Sequence, residues 1–74
     1  MVYGVVLFHT TSAAFKAEKA LARKGLGVKL VPVPRQFSSD CGLALRFEWN
    51  ATPQVREWLA AGQVETAGIH ELKG

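Results

Sequence analysis

From Gly42 to Trp49 the chain alternates with period two: Leu43, Leu45, Phe47 and Trp49 fall on one side, Ala44, Arg46 and Glu48 on the other. Only a β-strand sends successive side chains to opposite faces, so this segment predicts a sheet with one buried face. Such a sheet needs a second layer over its apolar side. Two flanking segments have the marks of helices. Thr10, Thr11 and Ser12 are N-cap residue types, and Ala13, Ala17, Ala20, Leu21 and Lys24 follow within a narrow arc at helical spacing, with Lys16, Lys19 and Arg23 directed outward. Gly25 and Gly27 are expected to stop this helix by permitting positive φ. Thr52 followed by Pro53 reads as an N-cap with proline at the first helical position. Val55, Trp58 and Leu59 form the inner stripe of that second helix, which Gly62 ends.

Three further strands are expected. Tyr3 to Phe8 is apolar on both faces, as in a central strand. Val28 to Val33 carries Pro32, with Pro34 just beyond, and proline cannot donate to a ladder, so this strand belongs at an edge. Val64 to His70 reads as the last strand. The order β-α-β-β-α-β predicts an α+β, ferredoxin-like split βαβ: a four-stranded antiparallel sheet with two helices on one face. Right-handed crossovers give the strand order four-one-three-two. If Val5 and Leu7 point to the helices, Val6 and Phe8 join Val31, Val33 and Ala44 on the open face. Such a patch predicts a two-fold homodimer through the open sheet.

The 74 residues fit a single domain spanning 1–74. The single cysteine excludes an internal disulfide and suggests a cytoplasmic setting. No apolar run approaches membrane-spanning length and no basic n-region opens the chain, so neither a membrane segment nor a secretory leader is expected. The net charge of +3 is too small to imply nucleic acid. It is unevenly spread: residues 1–37 hold Lys16, Lys19, Arg23, Lys24, Lys29 and Arg35 against Glu18 alone, while residues 38–74 are net acidic. The positive half reads either as an ordinary solvated helix face or as a docking patch for an acidic partner.

The expected topology gathers residues distant in sequence. The end of the first strand, the start of the first helix and the loop between the second and third strands share one edge. His9, Thr10, Thr11, Arg35, Ser38, Ser39, Asp40 and Cys41 meet there, with His70 at the opposite edge. Cys41 follows three polar residues and precedes Gly42, which lets a ligand or another backbone come close. Outside a core strand or helix stripe, an accessible, reactive thiol is a reading to weigh against an inert one. Thiolate chemistry is favoured by a helix N-terminus or nearby cations, here the first helix and Arg35; Asp40 opposes it. Ser38 and Ser39 read as turn formers or as donors to a sulfur anion. Thr10 and Thr11 are caps first and anion donors second. Arg35 pairs with the thiolate or with Asp40, and His9 is a base or a hydrogen-bonding strand-end residue. A zinc site from His9, Cys41 and a carboxylate lacks ligand spacing.

The runs Tyr3-Gly-Val-Val-Leu-Phe-His-Thr-Thr-Ser-Ala-Ala, Val28-Lys-Leu-Val-Pro-Val-Pro-Arg35 and Ser38-Ser-Asp-Cys-Gly42, the last followed by Leu43-Ala-Leu-Arg-Phe, resemble the selenium/sulfur carrier-like family. This family of short bacterial domains also occurs fused to TusA-like modules in selenium-metabolism proteins. The resemblance covers residues 3–70, and its most specific parts are Pro-Arg35 and Ser-Ser-x-Cys-Gly. It implies that Cys41 carries a transferred chalcogen, as a persulfide or selenopersulfide, and requires no metal or cofactor. A separate donor is expected, a cysteine desulfurase or a TusA-like protein, together with an acceptor protein. That makes the chain a carrier more than a turnover enzyme. The alternative is a non-catalytic ferredoxin-like binding or protein-interaction module with an inert cysteine. Single-stranded RNA would need aromatics across the open face, and no such pattern is present. An acyl-phosphate hydrolase would need a catalytic set beside Arg35, which is not evident.

Overall fold

The structure is a computed structural model and describes residues 2–37 and 41–72. Strand β1 (Tyr3–Leu7) leads into helix α1 (Thr11–Arg23), then strands β2 (Lys29–Pro32) and β3 (Leu43–Glu48), a 3-10 turn over Trp49–Ala51, helix α2 (Thr52–Ala61) and strand β4 (Gly68–Leu72). The four strands form one sheet in the order β2-β3-β1-β4, which read from the β4 edge is four-one-three-two. Every neighbouring pair is antiparallel. As expected, β1 is central and the proline-bearing β2 is an edge.

The local signals account for most element ends. Thr10 is extended, and its Oγ1 accepts the Ala13 N–H at 3.1 Å, capping α1. Gly25 takes φ +80 just after the helix, while Gly27 is not in the left-handed region. Pro53 lies in the first turn of α2, but Thr52 is a helical residue and Ala51 the cap. The 3-10 turn is responsible: the Thr52 hydroxyl and its backbone N–H both turn back to the Trp49 carbonyl, drawing Thr52 into the helix. The last strand starts later than the composition suggests. The Val64 N–H bonds to the Leu59 carbonyl at 3.0 Å, and Gln63, not Gly62, takes the left-handed conformation at φ +55. The helix exit therefore absorbs residues that look like strand.

The main core lies between the helices and one sheet face. Ala14, Ala17 and Leu21 of α1 and Val55 and Leu59 of α2 pack on Val6, Phe8, Leu45 and Phe47. Val6 and Phe8 thus face the helices, the reverse of the parity expected for the first strand. Pairing decides this: Val6 lies opposite Leu45 and Gly4 opposite Phe47, and directly opposed residues of an antiparallel pair share a face. Gly4 is needed there, because a Cβ would stand 2.5 Å from Phe47 Cζ and 2.7 Å from Trp49 Cε3.

The open face carries Val5, Leu7 and Ala44, all buried, with Val31, Val33, Phe37 and Leu72 packed around them. Phe37 reaches across this face to stack on His70, ring centroids 4.6 Å apart, and the Arg46 guanidinium lies 4.6 Å over the Tyr3 ring. The exposed apolar patch expected there, on which the dimer reading rested, is absent among the described residues. Their exposed large hydrophobics are Val2 and Phe15. His70 is likewise not remote from the β2–β3 connection, since Phe37 of that connection stacks on it. No described helix is long and apolar enough to cross a membrane.

Candidate functional site

The register brings the expected segments to one end of the sheet. Leu7 at the end of β1 lies opposite Ala44 near the start of β3, and β2 ends beside Leu43. Helix α1 begins four residues after Leu7. Cys41 sits at this junction. The Cys41 thiol donates to Thr11 Oγ1 at 3.7 Å, and the Leu43 N–H donates to the sulfur at 3.4 Å. Thr11 is the first residue of α1, so the sulfur lies against the helix end whose free N–H groups favour negative charge. Thr10 has a different task. Its hydroxyl is engaged by Ala13 in the cap, so of the two threonines it is Thr11 whose side chain meets the sulfur.

The expected accessibility of Cys41 is corrected. It is 3% exposed and belongs to the main core with Phe8, Ala14 and Leu21. The reason is continuation of the strand. The Val33 N–H bonds to the Gly42 carbonyl at 3.2 Å, which extends the β2–β3 contact beyond Pro32. Alternation from Phe47, Leu45 and Leu43 then directs Cys41 to the helix face. The signal was present in the sequence, because the apolar alternation reaches two residues upstream of Leu43.

The other candidates separate. Arg35 is exposed in a turn closed by the Phe37 N–H on the Pro34 carbonyl at 3.0 Å, and it makes no hydrogen bond or ion pair with Cys41 among the described residues. Ser38, Ser39 and Asp40 lie outside the described residues. Gly42 is exposed, and a Cβ built on it would meet nothing within 4 Å among the described residues. Packing within the described residues therefore does not demand a glycine there. His9 is exposed in the bend between β1 and α1. No group of three or more His, Cys, Asp or Glu is arranged to hold a metal among the described residues.

One residue of the β2–β3 connection carries no motif. Phe37 is the apolar residue inside an otherwise polar loop, and that contrast is its one sequence signal. Its stack on His70 joins loop residues to β4, a contact between residues too distant in sequence for any local pattern to reveal.

What this arrangement can do chemically is hold a sulfur atom between a backbone N–H and a hydroxyl at a helix N-terminus. A hydroxyl can reverse from acceptor to donor when the thiol loses its proton. Neither the curated proteins nor the solved structures include a match to this chain. A family model does match it, over residues 3–71, and nearly the whole chain is thereby accounted for: the protein belongs to the family described as "Putative Se/S carrier protein-like".

Proposed function

We propose that this protein, on a ferredoxin-like split βαβ frame, carries sulfur or selenium as a persulfide or selenopersulfide on Cys41. The observation that carries the reading is the seat of the sulfur: in a chain of this family, its one cysteine meets a backbone N–H and the first hydroxyl of a helix.

The step is a thiol exchange. The Cys41 thiolate attacks the terminal sulfur of a donor persulfide R–S–SH. A new S–S bond forms on Cys41, the donor S–S bond breaks, and its electron pair leaves with the donor thiolate. The products are Cys41–S–SH and R–S⁻, with no net oxidation. A selenium donor gives Cys41–S–SeH by the same exchange. A nucleophile on an acceptor protein then removes the terminal atom in the reverse sense. Leu43 N–H and Thr11 orient the carrier sulfur. Thr10 holds the helix end in place. In this reading Arg35, Ser38 and Ser39 serve the anionic terminal atom, and Gly42 leaves room for the incoming group. The donor is a cysteine desulfurase or a TusA-like protein. Because Cys41 is buried, loading requires a local opening of the native fold.

That burial favours a second reading, an interaction module with an inert structural cysteine. One experiment separates the two. The protein is incubated with a cysteine desulfurase and cysteine or selenocysteine, and its intact mass is measured. A gain of one sulfur or selenium atom, reversed by thiol reductant and absent in Cys41→Ser, is expected of the carrier. An unchanged mass supports the inert cysteine.

A further inference from the structure

The outer side of α1 joins an exposed aromatic to a run of positive charge. Phe15 is 51% exposed, the most exposed large hydrophobic side chain described. Lys16, Lys19 and Arg23 are exposed beside it, and the helix's one acid, Glu18, is half-buried. Ala14, Ala17 and Leu21 mark the inward side of the helix. At about 100° per residue, Phe15, Lys19, Arg23 and Lys16 fall within an arc of about 100° on the opposite side. An isolated surface phenylalanine needs no explanation. One set into a stripe of single-signed charge has the composition of an anchor with a steering rim.

The stripe also abuts the candidate site. Phe15 lies one turn beyond Thr11 on α1, and Thr11 Oγ1 is 3.7 Å from the Cys41 sulfur. A body seated on this face has its margin near Thr11, whose hydroxyl meets the buried Cys41 sulfur. Exposed Glu48, Glu57, Glu65 and Glu71 lie outside α1, and although Lys24, Lys29, Arg35 and Arg56 are also exposed elsewhere, Lys16, Lys19 and Arg23 gather on one face of one short helix. That suits a compact acidic patch better than a long phosphate backbone.

We infer that the outer face of α1 is the docking surface for the protein that loads Cys41, and that this partner presents an acidic surface with an apolar recess for Phe15. The inference rests on the carrier reading. It is tested by comparing two persulfide donors on the full chain: a cysteine desulfurase in its persulfide form, which has a surface, and glutathione persulfide, which has none. The variants are the triple reversal Lys16→Glu, Lys19→Glu, Arg23→Glu, and separately Phe15→Ser. The loading rate from the desulfurase is expected to fall about 10-fold or more in the triple variant and steeply with added salt, and to fall also in Phe15→Ser. Loading from glutathione persulfide stays within about twofold. A desulfurase rate indifferent to charge reversal overturns the docking surface. So does a parallel loss with both donors, or wild-type loading by glutathione persulfide alone. A single-stranded RNA bound through these lysines, with desulfurase loading unaffected, overturns it in favour of nucleic acid. Absence of loading from either donor overturns the carrier reading itself.

Discussion

Gly4→Ala tests the packing argument most directly. Gly4 lies in the central strand opposite Phe47. The added methyl would stand 2.5 Å from Phe47 Cζ, 2.9 Å from Phe47 Cε1 and 2.7 Å from Trp49 Cε3. Carbon atoms in contact prefer about 3.5–4.0 Å, so each ring must retreat by about 1 Å. Phe47 is 1% exposed and has the main core behind it. The Trp49 backbone N–H donates to the Val2 carbonyl at 3.1 Å, which fixes its Cα, and its ring stacks with Phe47 at a centroid distance of 6.2 Å. Overpacking of this kind costs about 1–3 kcal/mol, and two constrained rings place it in the upper part of that range. Alanine recovers about 0.5–1 kcal/mol of the conformational cost of glycine. The net loss is about 2 kcal/mol, or roughly 8–16 °C in melting temperature for a domain of this size. Circular dichroism melts of wild type and Gly4→Ala measure it, and Phe47→Leu in the same chain should recover part of the loss. A melting temperature lowered by less than about 2 °C would refute the claim that the rings need a bare backbone at this position.

Cys41→Ser is expected to fold, at a cost of about 1–2 kcal/mol read by urea unfolding, because a hydroxyl enters the core while keeping an acceptor for the Leu43 N–H; the mass gain from a desulfurase is lost. Native Cys41, 3% exposed, should react with iodoacetamide about 100-fold or more slowly than in denaturant; equal rates would contradict its burial. Gln63→Gly relieves a left-handed non-glycine residue at φ +55 and should stabilise by about 1 kcal/mol, seen as a higher melting temperature. Gly42→Ala, which meets no described neighbour within 4 Å, should leave the melting temperature within a few degrees of wild type while slowing persulfide loading; loss of stability instead would assign Gly42 to packing.

Much of the fold was legible because its determinants are local. Thr10 as a cap, Gly25 at positive φ and Pro32 in an edge strand each follow from the covalent constraints of one residue. The meeting of Thr11 with Cys41 followed from topology, since antiparallel order brings the start of α1 and the β2–β3 connection to one end. The burial of Cys41 is masked locally, because three polar residues before it and a glycine after it read as a loop that ends at Cys41. The ladder bond from Val33 to Gly42 carries the strand geometry one step further and turns the sulfur inward.

By itself the sequence determined the kinds of element, their order, the edge position of β2 and the buried alternation of β3, because each depends on periodicity or on a residue's own backbone. Tertiary structure alone decided the parity of β1, the start of β4 and the stack of Phe37 on His70. In β1 both faces are apolar, so nothing local separates Val5 and Leu7 from Val6; its pairing with β3 does, by requiring that residues opposed across the ladder share a face. In residues 64–67 the Val64 N–H is claimed by the end of α2, so this residue of strand composition serves as the helix exit, and the chain first bonds to β1 at the Ala67 N–H, which donates to the Leu7 carbonyl at 2.6 Å.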